Sequence, residues 1–265
     1  MWEYETLRVE VSDGVATITI DRPHARNSMT PVMAREMLDI VQRLSIDRSV
    51  RVVVLTGAGS DAFCPGTDTK AFLSGETDPD LELNPLLDGM IFQIPVILYQ
   101  MPQVTIAAIN GATAGAGLSW ACACDFRWAA RSAKFSTAFL DRGVPADMCL
   151  HWTLPRIVGP TVARRLIFFP SKFDADRAQE YGLVDDVFAP EDFRAQVAER
   201  VDHLRRAAPL ALRATKENLI DAERTDIRTF SDLESHRHLA LLASEDCREG
   251  FAAYAERRAP NYRGR

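Results

Sequence analysis

VRVVVLT (residues 50–56) and VTIAAIN (104–110) are apolar runs rich in β-branched residues, without alternation between polar and apolar positions. Such runs are typical of strands that are buried on both faces of a sheet. TPVMAREMLDIVQRLSIDR (30–48) has apolar residues near a 3.6-residue period, which predicts an amphipathic helix with Thr30 as N-cap. LRVEVSDGVATITI (7–20) alternates on both sides of an Asp-Gly turn and predicts a hairpin. This order predicts an α/β domain with parallel strand pairing.

Composition fixes the broad class of the chain. The 265 residues include 31 Lys and Arg against 37 Asp and Glu, a net charge of −6 at pH 7. This charge excludes an indiscriminate polyanion binder, and no nucleic-acid partner is expected. Hydrophobic residues make up 47% and charged residues 26%, as in an ordinary globular protein. Because single cores stop growing at roughly 250–300 residues, we expect a main domain over 1–205 and a charged helical region over 206–265.

Cysteine content and apolar patterning indicate the compartment. The five cysteines are an odd number without the spacing of a zinc site, so we expect reduced thiols and no bound metal. The first residues are acidic where a signal peptide is basic and then apolar, which predicts a cytoplasmic protein. Residues 89–124 carry no charged side chain, but Pro95, Pro102 and several glycines interrupt them, so they are predicted to form buried core and not a membrane span. Residues 74–90, rich in Pro, Gly and acids, are predicted to form a mobile surface loop.

Two short patterns suggest enzyme classes that the surrounding sequence disfavours. GAGSDA (57–62) fits the dinucleotide-binding pattern G-x-G-x-x-A, but Phe-Cys-Pro-Gly follows where a helix has to begin, so a turn is expected. GLSWA (117–121) approaches the nucleophile elbow G-x-S-x-G. Its conceivable triad partners are Asp141, Asp147, His151 and His236. An elbow places its serine directly at the end of a strand, whereas several residues intervene here, so a small residue on a pocket-facing helix is expected instead.

Two separated loops carry a more specific pattern. NGATAGAG (110–117) is a run of very small residues before the apolar stretch LSWACAC, which can form a helix. The amides of Ala116 and Gly117 would then be first-turn donors without intrahelical acceptors, at a helix end that suits a developing anion. FCPGTDTK (63–70) likewise places small residues after a strand, with a backbone amide free to point inward. The two loops together predict a site for developing negative charge.

The chain resembles the enoyl-CoA hydratase/isomerase family, or crotonases, over nearly its whole length. Segments in the family's order and spacing carry the resemblance: IDRPHARNSM, VVLTGAGSDAFCPGTDTKAF, AAINGATAGAGLSWACACDFRWAA, SAKF, LPRIVG, AQEYGLVDDVF and SEDCREGFAAYAERRAPNYRGR. The resemblance implies an α/β spiral of repeated strand–strand–helix units, followed from about residue 206 by helices that cover neighbouring subunits. Relatives assemble as trimers or dimers of trimers, so a homotrimer or hexamer is expected.

The resemblance also implies where a substrate binds. The family holds an acyl-CoA thioester carbonyl between two backbone amides, which match those of Thr67 and Ala116. The family's segments along coenzyme A match Ala25, Arg26, Thr67, Asp68, Thr69 and Lys70. Lys70 and Arg26 are either partners of the CoA phosphates or solvated surface charges. Coenzyme A is therefore expected as part of an acyl-CoA substrate, with no tightly bound cofactor.

Departures from the family pattern decide the expected chemistry. Family hydratases use two glutamates whose positions match Ser119 and Phe139, and neither of these side chains can transfer a proton near pH 7. Asp147 matches an aspartate of several family isomerases, and burial is expected to raise its pKa. We therefore expect double-bond isomerisation through an enolate, with Asp147 as the base. Hydration with an atypical site, hydrolysis of a carbon–carbon bond in a β-diketone, and an inactive paralogue are the alternatives.

Other polar residues near Asp147 have structural interpretations. For Asp141 we expect a surface ion pair with Arg142 or another basic residue. For His151, at the start of a predicted helix, a structural hydrogen bond is expected in preference to a second acid–base role. Residues 148–150, Met-Cys-Leu, stand where relatives have a small, glycine-rich stretch, which predicts a pocket of different shape.

Overall fold

The computed structural model describes residues 2–75, 77 and 89–265. The strands are β1 (Leu7–Ser12), β2 (Val15–Ile20), β3 (Val52–Gly57), β4 (Ala62–Cys64), β5 (Val104–Ile109), β6 (Ala112–Ala114), β7 (Phe126–Ala130), β8 (Lys134–Ser136), β9 (Phe173–Asp174) and β10 (Asp186–Phe188). The α-helices are α1 (Pro31–Ile46), α2 (Thr69–Ser74), α3 (Ile94–Gln100), α4 (Ala116–Ala123), α5 (Leu150–Phe168), α6 (Ala175–Glu180), α7 (Phe193–Arg205), α8 (Pro209–Ala222), α9 (Ile227–Leu242) and α10 (Glu245–Glu256). Most of the predicted surface loop over 74–90 lies outside the described residues.

The strands form two separate sheets. The larger sheet has the order β1-β2-β3-β5-β7-β10, with β1 antiparallel to β2 and the remaining neighbours parallel. The smaller sheet has the order β4-β6-β8-β9, parallel except for its last pair. Three times the chain passes from the larger sheet to the smaller one and then into a helix: β3-β4-α2, β5-β6-α4 and β7-β8-α5. The predicted spiral of strand–strand–helix units is therefore confirmed.

The central strands contact apolar clusters on both faces, which explains their lack of alternation. In β3, Val53 and Leu55 belong to the main core, whereas Val52 and Val54 belong to a second cluster. Helix α7 covers that second cluster, with its buried Phe193 among the contacts. The strand predictions over 50–56 and 104–110 are confirmed, with each observed strand two residues or fewer from the predicted bounds. A strand in this position requires apolar side chains at successive residues.

Local signals set the predicted turn and helix start. The hairpin turns at Asp13 and Gly14, which both have positive φ values of 50° and 79° and thus suit the tight turns that match strand twist. Helix α1 begins at Pro31, and the Thr30 hydroxyl accepts a hydrogen bond from the Met33 amide at 3.2 Å. The uncharged residues 89–124 include α3, β5, β6 and α4, with β5 and α4 wholly buried. In the ranges given above, no helix is both long and apolar enough to cross a membrane.

An ion pair between buried Lys216 and partly exposed Asp125 joins α8 to the spiral. The Lys216 ammonium donates to the Asp125 carboxylate at 2.7 Å and to the Gln103 carbonyl oxygen at 2.8 Å. The same carboxylate oxygen accepts from the Thr105 amide at 2.7 Å. Burial lowers the pKa of Lys216, and the charge of Asp125 opposes that shift. The helices after residue 205 are thus joined to the core by a polar contact as well as by packing, while the division into domains at 205/206 stays a prediction.

We predict that Lys216→Met lowers the free energy of unfolding by about 3 kcal/mol, because Asp125 would keep its charge without its partner. Urea denaturation followed by circular dichroism measures this loss. Lys134→Met is the control, since Lys134 is exposed at the start of β8 and its replacement should change stability by about 0.5 kcal/mol at most. Equal stability of Lys216→Met and the wild type would contradict an anchoring role for the pair.

Candidate active site

The residues after β3 form a turn and not a nucleotide-binding loop. β4 begins at Ala62, so no helix starts where a dinucleotide site requires one. Buried Asn27 and Asn110 hold the turn: both side-chain amides donate to the Ala62 carbonyl oxygen, and Asn110 accepts from the Gly57 amide at 2.9 Å. A methyl group on Gly57 would lie 2.3 Å from that carbonyl oxygen, so only glycine fits. The dinucleotide-binding alternative is wrong, and the turn is confirmed.

The loop over residues 63–70 directs the Thr67 amide away from the neighbouring segment at Met29. The Met29 amide donates to the Gly66 carbonyl oxygen at 2.8 Å, and the Asp68 amide donates to the Met29 carbonyl oxygen at 2.8 Å. These bonds make Thr67 and Met29 a parallel bridge pair. Because the backbone groups of an extended chain alternate in direction, the Thr67 amide points to the opposite side. It donates no hydrogen bond to any residue in the described part of the chain.

In the loop over residues 110–117, Gly115 directly precedes helix α4. Gly115 has φ 52° and ψ −128°, a conformation that residues with a side chain rarely adopt. Helix α4 then begins at Ala116, whose first-turn amide has no intrahelical acceptor. Over the described ranges no other acceptor meets this amide. The predicted helix over the LSWACAC stretch is therefore confirmed, and Ala116 presents a free donor at its N-terminus.

Close backbone contact brings the two loops together. A methyl group on Gly66 would lie 3.2 Å from the Ala114 carbonyl oxygen. One on Gly117 would lie 2.1 Å from the Cys64 carbonyl oxygen. Burial of the Cys64 thiol raises its pKa to about 11, and the nearby amides of Gly66 and Gly117 partly oppose this shift. Within the described ranges the Gly117 amide, like that of Ala116, donates to no acceptor, as expected.

Asp147 carries a half-buried carboxyl group close to helix α4. Burial raises its pKa above the usual carboxyl value. One carboxyl oxygen, Oδ1, is inaccessible to solvent and lacks a hydrogen-bond partner within the described structure. The neighbours Ala146 and Met148 are buried in the main apolar core, which also contains Phe139. Asp147 thus meets the physical conditions of a proton acceptor with a pKa moved toward neutrality.

The main chain after Asp147 is strained. Met148 and Cys149 have φ values of 45° and 63°, in the left-handed region that disfavours residues with a side chain. They belong to the Met-Cys-Leu stretch from which a pocket of different shape is predicted. Each such residue costs about 1 kcal/mol or more and persists because surrounding contacts fix it. Helix α5 begins directly afterwards at Leu150, whose amide donates to the Asp147 carbonyl oxygen at 3.0 Å.

The segments expected along coenzyme A lie next to each other. Asp68 caps helix α2 and accepts hydrogen bonds from Arg22 at 3.1 Å and from the Ser28 hydroxyl at 3.0 Å. Burial alone would raise the pKa of Asp68, but bonds from the Ala71 amide, Arg22 and Ser28 lower it overall. The Asp68 carboxylate therefore joins the two segments instead of facing a ligand. The remaining residues of the set are exposed or half-buried: Ala25, Arg26, Thr67, Thr69 and Lys70.

Two polar positions differ from expectation. His151 is exposed, and its side chain makes no hydrogen bond within the described ranges, so the expected structural bond is wrong. The reason is helical geometry, because Leu150, Thr153 and Leu154 occupy the buried side of α5. Asp141 is exposed as expected, yet it forms no ion pair with any residue that the structure describes.

A serine triad has no support around Ser119. Its hydroxyl is buried and lies within hydrogen-bond distance of two carbonyl oxygens, those of Gly115 and Asp147. No histidine or carboxylate side chain of the described chain forms a hydrogen bond with it. Across the same residues, no group of three or more His, Cys, Asp and Glu could hold a metal ion, and the five cysteines are free thiols.

Comparison with known proteins identifies the family. Residues 10–265 match the sequence model of the family described as Enoyl-CoA hydratase/isomerase. The chain belongs to this family. Among crotonases, it is 36% identical over 258 residues to the (E)-benzylidenesuccinyl-CoA hydratase of Thauera aromatica, covering 97% of this chain and 98% of that protein. It is 31% identical over 261 residues to the 1,2-epoxyphenylacetyl-CoA isomerase of Escherichia coli, covering 98% and 99% of the two chains.

Solved crotonases share the whole architecture. The crystal structure of the enoyl-CoA hydratase from Bacillus anthracis superimposes with a TM-score of 0.90 at 30% identity. The match covers 98% of this chain and 100% of that chain. The resemblance inferred from the sequence and the crotonase fold are thus both confirmed. Sequence reasoning did not find the close contact between Cys64 and Gly117, for which the glycine itself was the only signal.

We predict that Gly117→Ala lowers the free energy of unfolding by about 3 kcal/mol, because the added methyl group would overlap the Cys64 carbonyl oxygen. Chemical denaturation measures the effect. Gly89→Ala is the matched control, since a methyl group there meets no atom within 4 Å, and its effect should be about 0.5 kcal/mol or less. Similar losses in the two variants would show that the close contact between the loops does not constrain position 117.

Proposed function

We propose that the protein moves a proton within an acyl-CoA thioester and thereby shifts a carbon–carbon double bond. The observation that carries the proposal is the carboxyl oxygen of Asp147, buried and without a partner in the described structure, beside the helix whose first amide is free. The amides of Thr67 and Ala116 are the oxyanion donors in this proposal. Family membership supports an acyl-CoA substrate, with coenzyme A entering as part of that substrate.

The proposed reaction needs only one acid–base group. The Asp147 carboxylate takes a proton from the α carbon of a 3-enoyl thioester. The electron pair of the broken C–H bond then forms an enolate, whose oxygen accepts hydrogen bonds from the amides of Thr67 and Ala116. The Asp147 carboxylic acid returns the proton to the γ carbon, and the double bond becomes conjugated with the thioester. The hydrogen bond from each amide is strongest when negative charge has developed on the oxygen. The amides therefore stabilise the enolate more than the substrate.

Ser119 and Phe139, at the two family glutamate positions, support a reaction that does not need two glutamates to activate a water molecule. Ser119 is buried and its hydroxyl faces two carbonyl oxygens. Phe139 is buried in the apolar core and carries no exchangeable proton. Neither residue can act as the acid or base that two-glutamate hydration requires. Proton movement between two carbons by one carboxylate is compatible with both replacements.

Hydration is the second candidate, and the relatives favour it. The Thauera aromatica relative is an (E)-benzylidenesuccinyl-CoA hydratase, although the Escherichia coli relative is a 1,2-epoxyphenylacetyl-CoA isomerase. With a single carboxylate, Asp147 would take a proton from water as its oxygen bonds to the β carbon, and would pass that proton to the α carbon. The two candidates share the enolate and the same base, and they differ in whether oxygen is added to the substrate.

We place the CoA moiety along the neighbouring segments that contain residues 25–26 and 67–70. The hydrogen bonds between Met29 and the loop at Gly66 and Asp68 support this placement, because they join the two segments into one surface. Lys70 and Arg26 are exposed cations next to that surface and suit the phosphates of coenzyme A. We also propose a cytoplasmic site of action, where CoA thioesters would be the available substrates.

The central prediction is that Asp147→Asn lowers kcat by about 100-fold or more, because the side chain can no longer accept the proton. Binding of a non-reactive acyl-CoA should stay within about threefold of the wild type, since the amide donors are unchanged. Turnover is measured by absorbance with a panel of 2-enoyl- and 3-enoyl-CoAs, and product mass separates isomers from hydrates. Asp141→Asn, which changes an exposed carboxylate nearby, is the matched control and should leave turnover intact.

The pH dependence gives the same test a second readout. Asp147 must be ionised to act as base, so kcat/KM should fall as pH decreases through its raised pKa, above the ordinary carboxyl range near 4. Its folded-state pKa is raised, so the carboxyl group contributes stability at low pH that is lost as pH rises through this pKa. Asp147→Asn should remove that loss. Wild-type turnover in Asp147→Asn would refute the proposed base, and acyl-CoA binding without turnover of any substrate by the wild type would favour an inactive paralogue.

We further propose a homotrimer or a dimer of trimers formed through the C-terminal helices. These helices expose large apolar side chains: Leu219, Ile227, Leu239, Leu242, Phe251 and Tyr254. Sedimentation equilibrium should therefore give three or six times the 29.5 kDa chain mass. Phe251→Glu should shift the population toward smaller species, whereas Ile46→Glu, an exposed apolar position on α1, is the control. A monomer at micromolar concentration would contradict this proposal.

A further inference from the structure

Ser119 lies between the helix that carries the Ala116 amide and the segment that carries Asp147. Its side chain is fully buried in the first turns of α4. The hydroxyl oxygen lies 3.2 Å from the Asp147 carbonyl oxygen and 3.3 Å from the Gly115 carbonyl oxygen. A serine hydroxyl has one proton and can fully satisfy one of these acceptors at a time. The Ser119 side chain is thus the direct polar link from α4 to the main chain of the base.

The hydrogen bond from Ser119 to the Asp147 carbonyl oxygen helps to fix the segment that carries the base, whereas the bond to Gly115 stays within the start of α4. The Gly115 carbonyl oxygen already accepts from the Ser119 amide at 3.0 Å, as the helix requires. The Asp147 carbonyl oxygen precedes Met148 and Cys149, which both have left-handed φ values. Strained residues of this kind stay in place only where neighbouring contacts fix them. The hydroxyl of Ser119 supplies one such contact from a different element, and the Leu150 amide supplies another.

Helical geometry makes this contact a distance constraint. Ser119 follows Ala116 by three residues, so their backbones are separated by about 4.5 Å along the axis of α4. The first residue provides the free amide, and the fourth holds the main chain of Asp147. One helix therefore fixes the spacing between the donor for the enolate oxygen and the group that takes the proton. A displacement of about 1 Å at such a site can slow a reaction by about 100-fold.

We propose that Ser119 is a positioning residue that holds Asp147 at the correct distance from the Ala116 amide. The inference rests on the proposed function, because it concerns the geometry of the same base. Ser119 acts through the Asp147 main chain and does not exchange a proton with the substrate. The Oγ proton is shared between two buried carbonyl oxygens, so it is not available to orient a water molecule.

The test is a double-mutant cycle between the two positions. Ser119→Ala should lower kcat by about 10- to 100-fold, with KM within about threefold, because the base is displaced while the CoA segments are unchanged. In the Asp147→Asn background, the same Ser119→Ala change should alter the residual rate by less than about twofold. This non-additivity is expected when one residue works through the other. Equal fold-losses in the two backgrounds would overturn the proposal, as would wild-type turnover in Ser119→Ala.

Further variants separate a positioning role from a general loss of structure. Ser119→Cys keeps a small side chain with a weak donor and should retain more activity than Ser119→Ala. In Ser119→Ala, the acidic limb of the pH profile should also move, because the surroundings of Asp147 change. Ser45→Ala is the matched control, since the Ser45 hydroxyl donates to Gln42 within its own helix. An unchanged pH profile together with an equal loss of kcat in Ser119→Cys and Ser119→Ala would refute positioning through this hydrogen bond.

The outcomes also distinguish this inference from the proposed function. If Asp147→Asn keeps wild-type turnover, the proposed base is wrong whatever Ser119 does. If Asp147→Asn is inactive while Ser119→Ala is as active as the wild type, the base stands and the positioning role is refuted. Thermal denaturation of each variant identifies unfolding, and Ser119→Cys carries the test if Ser119→Ala does not fold.

Discussion

The contact between the Cys64 carbonyl oxygen and the main chain of Gly117 is the constraint on which the site depends. A side chain at position 117 would place a carbon 2.1 Å from that oxygen, so the loops approach as closely as they do only because of glycine. Gly66 and Gly117, at which the two loops are in close contact, immediately flank Thr67 and Ala116 in the chain. The absence of a side chain at both glycines permits this approach, and the amides of Thr67 and Ala116 beside them donate to no residue in the described structure.

Three of the eight buried residues of helix α4 contribute to the arrangement of the candidate site. Its N-terminus supplies the free Ala116 amide, its second residue contacts Cys64, and its fourth residue bonds to the Asp147 main chain. The buried carboxyl oxygen of Asp147 and the left-handed Met148 and Cys149 are each unfavourable in isolation. They are kept because the surrounding core is packed and leaves the segment no alternative position. Unfavourable local states held by a rigid framework are a recurrent property of sites that react.

Sequence patterns predicted those features that depend on neighbours in the chain. The hairpin at Asp13-Gly14, the Thr30 cap and the doubly buried strands follow from local periodicity and turn chemistry. The pattern also indicated free first-turn amides at Ala116 and Gly117, and neither donates to an acceptor in the described structure. The close approach of Cys64 to Gly117, from 53 residues away, could not be read from the sequence. The outward side chain of His151 likewise depends on how α5 packs, which no spacing within the sequence determines.

In the proposed function, Ser119 and Phe139 stand in place of the two glutamates of family hydratases, which changes the electrostatics of the site as well as its chemical groups. Burial is the principal influence on the pKa of Asp147, which it raises. A carboxyl group whose pKa is raised by burial is a stronger base than an ordinary aspartate. Such a group can accept a proton and return it to the same bound molecule. Activating water from one side while protonating carbon from the other requires two acid–base groups, and in the proposed function the two positions hold Ser119 and Phe139, which cannot serve as such groups.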